Sequence, residues 1–300
     1  MKNVYEMVDA NKRKSNLVVA GFVLFITLTT WIFSKAFGFE LNVVGIAFVV
    51  SGLISFISYY NSDKIVLSLS KAKLASRNKY FDFYTVAQNL SMAAQIPMPK
   101  LYVIEDTAMN AFATGRDPKH AVVVATTGLL ASLERTELEG VIAHELSHVK
   151  NYDIRLMSLV TVLVGLVTLL ADMFLRWGRF GGRGSRREGA QISAVFFIAG
   201  IVLALLSPLI SNLIKLAISR RREFLADASG SHLTRYPEGL ARALEKISAD
   251  KEPLEAANKA TAHLYISNPL KNHHDAVGWF AGLFNTHPPV GERIKALRSQ

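Results

Sequence analysis

Four stretches of this chain are too apolar to be left in water, and they constrain everything else. Residues 15–34 carry no charged side chain over 20 positions, and residues 41–62 carry none over 22. A helix of about 20 such residues crosses the roughly 30 Å hydrocarbon layer of a bilayer. The link Lys35–Glu40 is short enough to demand a tight hairpin. Lys12, Arg13 and Lys14 stand before the first block, which puts the N-terminus on the cytoplasmic side. A cleaved leader is the competing reading, but the block is long for one and a second follows at once. Residues 156–175 are interrupted only by Asp172, and residues 189–214 are uncharged over 26 positions, with Pro208 predicting a kink. An arginine- and glycine-rich loop, RWGRFGGRGSRRE, joins these two blocks. If both cross, the loop lies outside, against the positive-inside bias; a hairpin that dips in without crossing is the alternative. Either way both ends emerge on one side. The expectation is four transmembrane helices.

Composition narrows the chemistry. Of 300 residues, 50% are hydrophobic and only 19% charged, against about 25% charged in an ordinary soluble domain. There is no cysteine, which excludes disulfide scaffolds, thiol nucleophiles, iron–sulfur clusters and cysteine-bound zinc. A metal here must sit on His, Asp or Glu. The net charge of +10 comes from basic residues gathered at the block ends (Lys12 to Lys14, the arginine loop, Arg220 to Arg222) rather than along a face with interleaved aromatics. That placement suits a lipid bilayer and not nucleic acid.

The water-soluble parts are 63–155 and 215–300. Helices are expected over 72–95 and 236–264, strands at LYVIED (101–106) and AVVVAT (121–126), and a loop over 265–291. The domain plan that follows has an N-terminal transmembrane hairpin (1–62), a first part of the catalytic domain (63–155), a second hydrophobic hairpin (156–216) and a second catalytic part (217–300).

The chemistry starts on one helix. In TELEGVIAHELSHVK (136–150), Thr136 and Glu139 read as a capping box. Leu138, Ile142, Leu146 and Val149 form a core face, while His144 and His148, four residues apart, stand one turn above each other and can reach one ion. Glu145 completes a His-Glu-x-x-His zinc motif, in which the glutamate takes a proton from water. A catalytic zinc needs a third protein ligand. The metzincin position for a third histidine is Ile154 here and the required glycine is Asn151, so that class is excluded. A glutamate on a later helix remains, and SRRREFLADASG (219–230) offers Glu223, with Asp227 one turn on to accept the free N–H of a ligand histidine. Asp153 is expected to orient the helix end or pair with Arg155, and not to be a ligand.

The ordered set NAFATG, TTGLL, ELEGVIAHELSHVKNYD, SRRREFLADASG and NTHPPVGERIKAL resembles the HtpX family of bacterial membrane zinc proteases. These are gluzincins related to the type I CaaX prenyl proteases, and the resemblance covers essentially the whole chain. It implies an α+β membrane protein: a mainly helical, zincin-like metalloprotease domain with a small β-sheet, carried on the hydrophobic helices. It further implies a zinc metalloendopeptidase of protein quality control in the bacterial inner membrane, with one zinc ion per chain and its site facing the cytoplasm. His144, His148 and Glu223 are then the ligands and Glu145 the base. The segment Asn110, Ala111, Phe112 to Thr114 becomes the sheet edge along which extended substrate is laid.

His287 is the candidate oxyanion donor, with Arg293 as a supporting charge; His273 and His274 read as exposed loop residues. Seventy-five positions separate His148 from Glu223, and the third and fourth hydrophobic blocks fill most of them. The ligand helices should therefore extend the membrane helices and hold the site at the bilayer surface, facing membrane or unfolded protein substrates. A zinc-binding scaffold without catalysis is the alternative, and Glu145 argues against it. A zinc transporter would place ligands within the spans, where there is no histidine.

Overall fold

The computed structural model describes residues 4–37, 41–180, 197–198, 200–202, 220–257, 261–267, 269 and 288–300. Helix α1 (Val4–Phe37) and α2 (Leu41–Tyr60) hold the first two apolar blocks and pack side by side. Both turn large apolar side chains outward, among them Leu24, Leu28, Phe48, Leu53 and Phe56. A surface of that kind is stable only against lipid or protein. The second block runs as α2 to Tyr60, and the chain then bends by 79° at Asn61 into α3 (Ser62–Leu69). The third block forms α7 (Asp153–Phe180). Two described helices are long and apolar enough to cross a membrane, or three if the bent pair counts as one. The fourth block lies outside the described residues, apart from helical turns at 197–198 and 200–202.

Between α3 and α7 the chain builds one four-stranded sheet. Its strands are β1 (Lys73–Leu74), β2 (Lys100–Ile104), β3 (Ala111–Thr114) and β4 (Val122–Thr126), in the order β1-β2-β4-β3. Only β2 and β4 run parallel. Side chains alternate across a strand, and here both faces are buried, which is why VVVA reads as a continuous apolar run. Leu101, Val103, Ala111, Ala113, Val123 and Ala125 pack with Phe83, Val86 and Leu90 of α4 (Phe81–Ala94), Leu129 of α5 (Thr127–Ser132) and Val141, Ile142 and Leu146 of α6 (Arg135–Lys150). The intervening residues Ile104, Phe112, Val122 and Val124 pack with Val66 of α3 and Leu156, Met157 and Val160 of α7. The sheet is thus a partition between the soluble helices and the helix that leads into the membrane. Beyond it, Leu159, Leu163, Val167 and Ala171 of α7 repeat every four residues and meet Phe22 and its neighbours on α1. Contact between such helices in lipid rests on close packing rather than on expulsion of water.

Several expected boundaries are corrected. The helix expected over 72–95 begins only at Phe81, because Lys73 and Leu74 pair with Val103 and Tyr102 instead. The helix expected over 236–264 stops at Ala249 (α9, Pro237–Ala249); the Asp250 carboxylate then accepts the N–H groups of Met109 at 2.7 Å and Glu252 at 2.9 Å, turning the chain before Pro253. Helix α6 starts one residue before Thr136. Its cap is Glu134, whose N–H donates to Glu137 Oε2 at 2.8 Å, so the Thr136–Glu139 box is not used. Glu137 also receives Lys246 Nζ of α9 at 2.7 Å. The expected loop over 265–291 falls mostly outside the described residues.

Two glycines set how near the helices come to α6. A Cβ on Gly140 would stand 2.6 Å from the Leu240 backbone nitrogen in α9. A Cβ on Gly230, in α8 (Arg220–Thr234), would stand 3.0 Å from the backbone nitrogen of His144. Neither obstruction is a side chain that could swing away. Gly140→Val should therefore push α9 off α6 and destabilise the fold by about 1–3 kcal/mol, read as a lower thermal unfolding midpoint in detergent. An unchanged midpoint would show that this contact is loose.

Candidate metal centre

Helix α6 is buried on every side, unlike a surface helix with one apolar stripe, because α4, α8, α9 and the sheet all pack on it. Its polar residues are enclosed with the rest: His144 is 1% exposed, Glu145 3% and His148 4%. Glu223 and Asp227 lie one turn apart on α8 and are each 1% exposed. The close approach at Gly230 lets α8 lie along α6 and present Glu223 to the two histidines.

The ligand atoms of His144, His148 and Glu223 all lie within 4.8 Å of one another. The two Nε2 atoms are 3.2 Å apart, His148 Nε2 is 3.5 Å from Glu223 Oε1, and His144 Nε2 is 3.8 Å from Glu223 Oε2. Donors held about 2.0–2.1 Å from zinc at tetrahedral angles stand about 3.3–3.4 Å apart. The three residues therefore fit zinc in spacing as well as in chemistry, since two imidazoles and a carboxylate are a donor set that zinc accepts.

Charge supports the same reading. The carboxylates of Glu145, Asp153, Glu223 and Asp227 are buried with the Arg293 guanidinium, and the half-buried Arg222 reaches in to Asp153. Among the described residues, and with both histidines neutral, four carboxylates face two guanidiniums in a region where charge must be answered. A divalent cation restores neutrality.

Each histidine is held from behind. His144 Nδ1 lies 2.9 Å from Asp227 Oδ1. Asp227 is itself gripped by Arg293 of α10 (Val290–Arg298), whose Nε and Nη2 donate to the two carboxylate oxygens at 2.8 and 2.6 Å. Burial alone would raise the Asp227 pKa; the hydrogen bonds from Arg293 and His144 overcome it and hold the carboxyl at about 2. Arg293 is fully buried and also reaches the Ile266 carbonyl at 3.4 Å and Glu223 Oε2 at 3.9 Å. Its guanidinium thus backs the Asp227 carboxylate and flanks Glu223, behind the ligand atoms. His148 Nδ1 lies 3.1 Å from Asp153 Oδ2, and Arg222 Nη1 reaches Asp153 Oδ1 at 3.1 Å. Burial pulls the His148 pKa down, but Asp153, Glu223 and Glu145 outweigh it and push it up to about 9.

Asp153 is the residue whose part the sequence did not disclose. Arg155, its expected partner, instead donates to Asn16 Oδ1 at 3.1 Å and lies over the Tyr59 ring. The signal was slight: a carboxylate five residues beyond His148, past the end of the helix, faces the histidine only because Tyr152 takes a left-handed conformation (φ 59°) and turns the chain back. His287, His273 and His274 lie outside the described residues. Asn110, Ala111 and Phe112 are at the outer strand of the sheet but buried, and Ile266 N–H donates to Ala111 O at 3.0 Å. Asn110 Nδ2 donates to the Ser267 carbonyl at 3.0 Å, so the chain's own segment covers this end of the edge.

Residues 78–300 match the sequence profile of Peptidase family M48. The chain is 46% identical over 296 residues to a Protease HtpX homolog of Dictyoglomus thermophilum, across 98% of this chain and 94% of that one. It is 38% identical over 302 residues to a protein of the same description from Streptococcus uberis, across 98% and 99%. Among solved structures, the crystal structure of S. mikatae Ste24p overlays with a TM-score of 0.48 at 19% identity, over 97% of this chain and 66% of that one, just under two thirds of its length. With a profile that spans most of the sequence and takes in all three metal-gathering side chains, the chain belongs to peptidase family M48 and is a membrane zinc metalloprotease.

Proposed function

We propose that the chain is a multi-pass endopeptidase of the bacterial inner membrane that hydrolyses misfolded or membrane-embedded proteins at a cytoplasmic-facing site, as part of protein quality control. One observation carries the location. Only Asn151 and Tyr152 separate the ligand helix α6 from α7, and the apolar span begins at Asp153, five residues after His148. A centre tied to the mouth of a membrane helix works at the bilayer surface. The division into a membrane hairpin (1–62), a first catalytic part (63–155), a second hydrophobic hairpin (156–216) and a second catalytic part (217–300) goes with this reading.

His144, His148 and Glu223 hold the zinc. When bound, it supplies a Lewis acid for the scissile carbonyl and brings the pKa of the attacking water toward about 7. Glu145 takes the water's proton on its carboxylate and hands it to the departing amine nitrogen. Its carboxylate is buried in the same cluster and helps to raise the His148 pKa. Asp227 and Asp153 hold the Nδ1 protons of His144 and His148, leaving each Nε2 lone pair for the cation. His287 donates to the developing oxyanion. It stands six residues before Arg293 in the sequence. Extended substrate adds along Asn110, Ala111 and Phe112 to Thr114, reading backbone rather than side chains. At Ala111 it must share or displace the Tyr265–Ser267 segment.

Glu145→Gln in detergent-purified full-length protein should keep its zinc and lose activity on an unfolded protein by about 10²–10⁴-fold. Full activity in that variant would remove Glu145 as the base and reopen the choice of function. Membrane-embedded substrates should be cut faster than soluble unfolded ones at matched concentration; equal rates would show that the site's position confers no preference.

The high proton affinity of His148 gives a pH signature. Its pKa is raised from 6.5 to about 9, so protonation stabilises the chelator-treated fold fully below pH 6.5 and is lost as pH rises through about 9. Zinc must displace that proton. Loading at pH 7 should release about one proton per ion, and apparent affinity should strengthen about tenfold per pH unit up to about 9. Calorimetry in buffers of different ionisation enthalpy measures both; proton-independent loading would mean that His148 carries no proton in the metal-free centre.

A further inference from the structure

Asn11 sits near the start of the apolar stretch of α1, Asp9–Ile32, and is 3% exposed. Buried amides are kept where their hydrogen bonds are specific, and all the polar atoms of this one are engaged. Its Nδ2 donates to Asp153 Oδ1 at 2.8 Å and to the Asn151 carbonyl at 2.9 Å, and its Oδ1 accepts from Arg222 Nη1 at 3.1 Å. Asn151 caps the C-terminus of α6, where helix carbonyls lack intrahelical donors. Asp153, with Oδ1 fixed by Asn11 and Arg222, offers Oδ2 to His148 Nδ1. One side chain of the first membrane helix thus touches the end of the ligand helix, the acid behind the ligand histidine, and an arginine of the helix that bears Glu223.

We infer that Asn11 is a positioning residue of the zinc centre: it locks the Asp153 carboxylate behind His148, so that the seating of α1 in the membrane sets how firmly the metal is held. This rests on the reading of His148 as a ligand. Outer partners of metal-bound histidines change metal affinity or activity by about 10–100-fold when removed, and that is the scale expected here. The residue lies outside the stretch 78–300, so the centre is incomplete without the membrane hairpin.

The test uses full-length protein in detergent and reads zinc release to an excess of chelator, together with kcat, KM and the unfolding midpoint. Asn11→Asp keeps the shape and the acceptor for Arg222 but removes both donations and sets a like charge against Asp153. Asn11→Leu keeps the branched shape, at a somewhat larger volume, and removes every side-chain hydrogen bond. Val18→Ala, on the α1 surface packed against α7, loosens the helix pair without touching the network. His148→Ala reports on the ligand itself. Both Asn11 variants should release zinc about tenfold or more faster than wild type with KM unchanged, whereas Val18→Ala should lower the midpoint and leave release as it was. Asn11 variants that match wild type in release, or that merely follow Val18→Ala, overturn the inference. His148→Ala retaining stoichiometric zinc would overturn the ligand reading instead, and the inference with it.

Discussion

Burying four carboxylates beside two histidines is the constraint around which the molecule is arranged. Such a cluster is unstable in a dry interior unless cations and hydrogen bonds answer every charge. Arg293 and Arg222 answer part of it from opposite sides, one through Asp227 behind His144, the other through Asp153 behind His148. A divalent ion on His144, His148 and Glu223 would answer more of it.

That requirement explains the packing. Residues 75 positions apart have to meet within a few ångströms, so α6 and α8 must lie against each other with no side chain between them. Gly230 permits it, and Gly140 does the same for α9 on the other flank. The sheet then serves as a rigid backing. Its two apolar faces bond α6 to one side and α7 to the other, so the metal-bearing helices and the membrane helix are fixed to a common plate. Displacement of the Tyr265–Ser267 segment from its edge would be felt at Arg293 as well, because the Ile266 carbonyl that the guanidinium reaches belongs to that segment.

Much of the site could be read from residue spacing, because a helix puts positions four apart on one line. His144 and His148 needed only that rule; the lack of cysteine and of a histidine at position 154 left a glutamate on a later helix, and the family resemblance pointed to Glu223. The apolar blocks were legible because hydrocarbon admits only uncharged helix of sufficient length. Boundaries were less so. Lys73 and Leu74 suit a helix as well as a strand, and what decides is a partner strand nearly thirty residues on. Thr136 with Glu139 is a sound local cap, but Glu134 and Glu137 displace it because Glu137 is also drawn to Lys246 of another helix.

The sequence by itself determined the apolar helices and the pair of histidines one turn apart with Glu145 between them, since each depends on residue type and short-range period. Only the tertiary structure decided which acids stand behind which histidine. Asp153 serves His148 because a left-handed Tyr152 reverses the chain, Arg293 serves Asp227 across 66 positions, and Asn11 joins them from 142 positions away. Hydrogen bonds of that kind depend on distance in space, which local sequence does not encode.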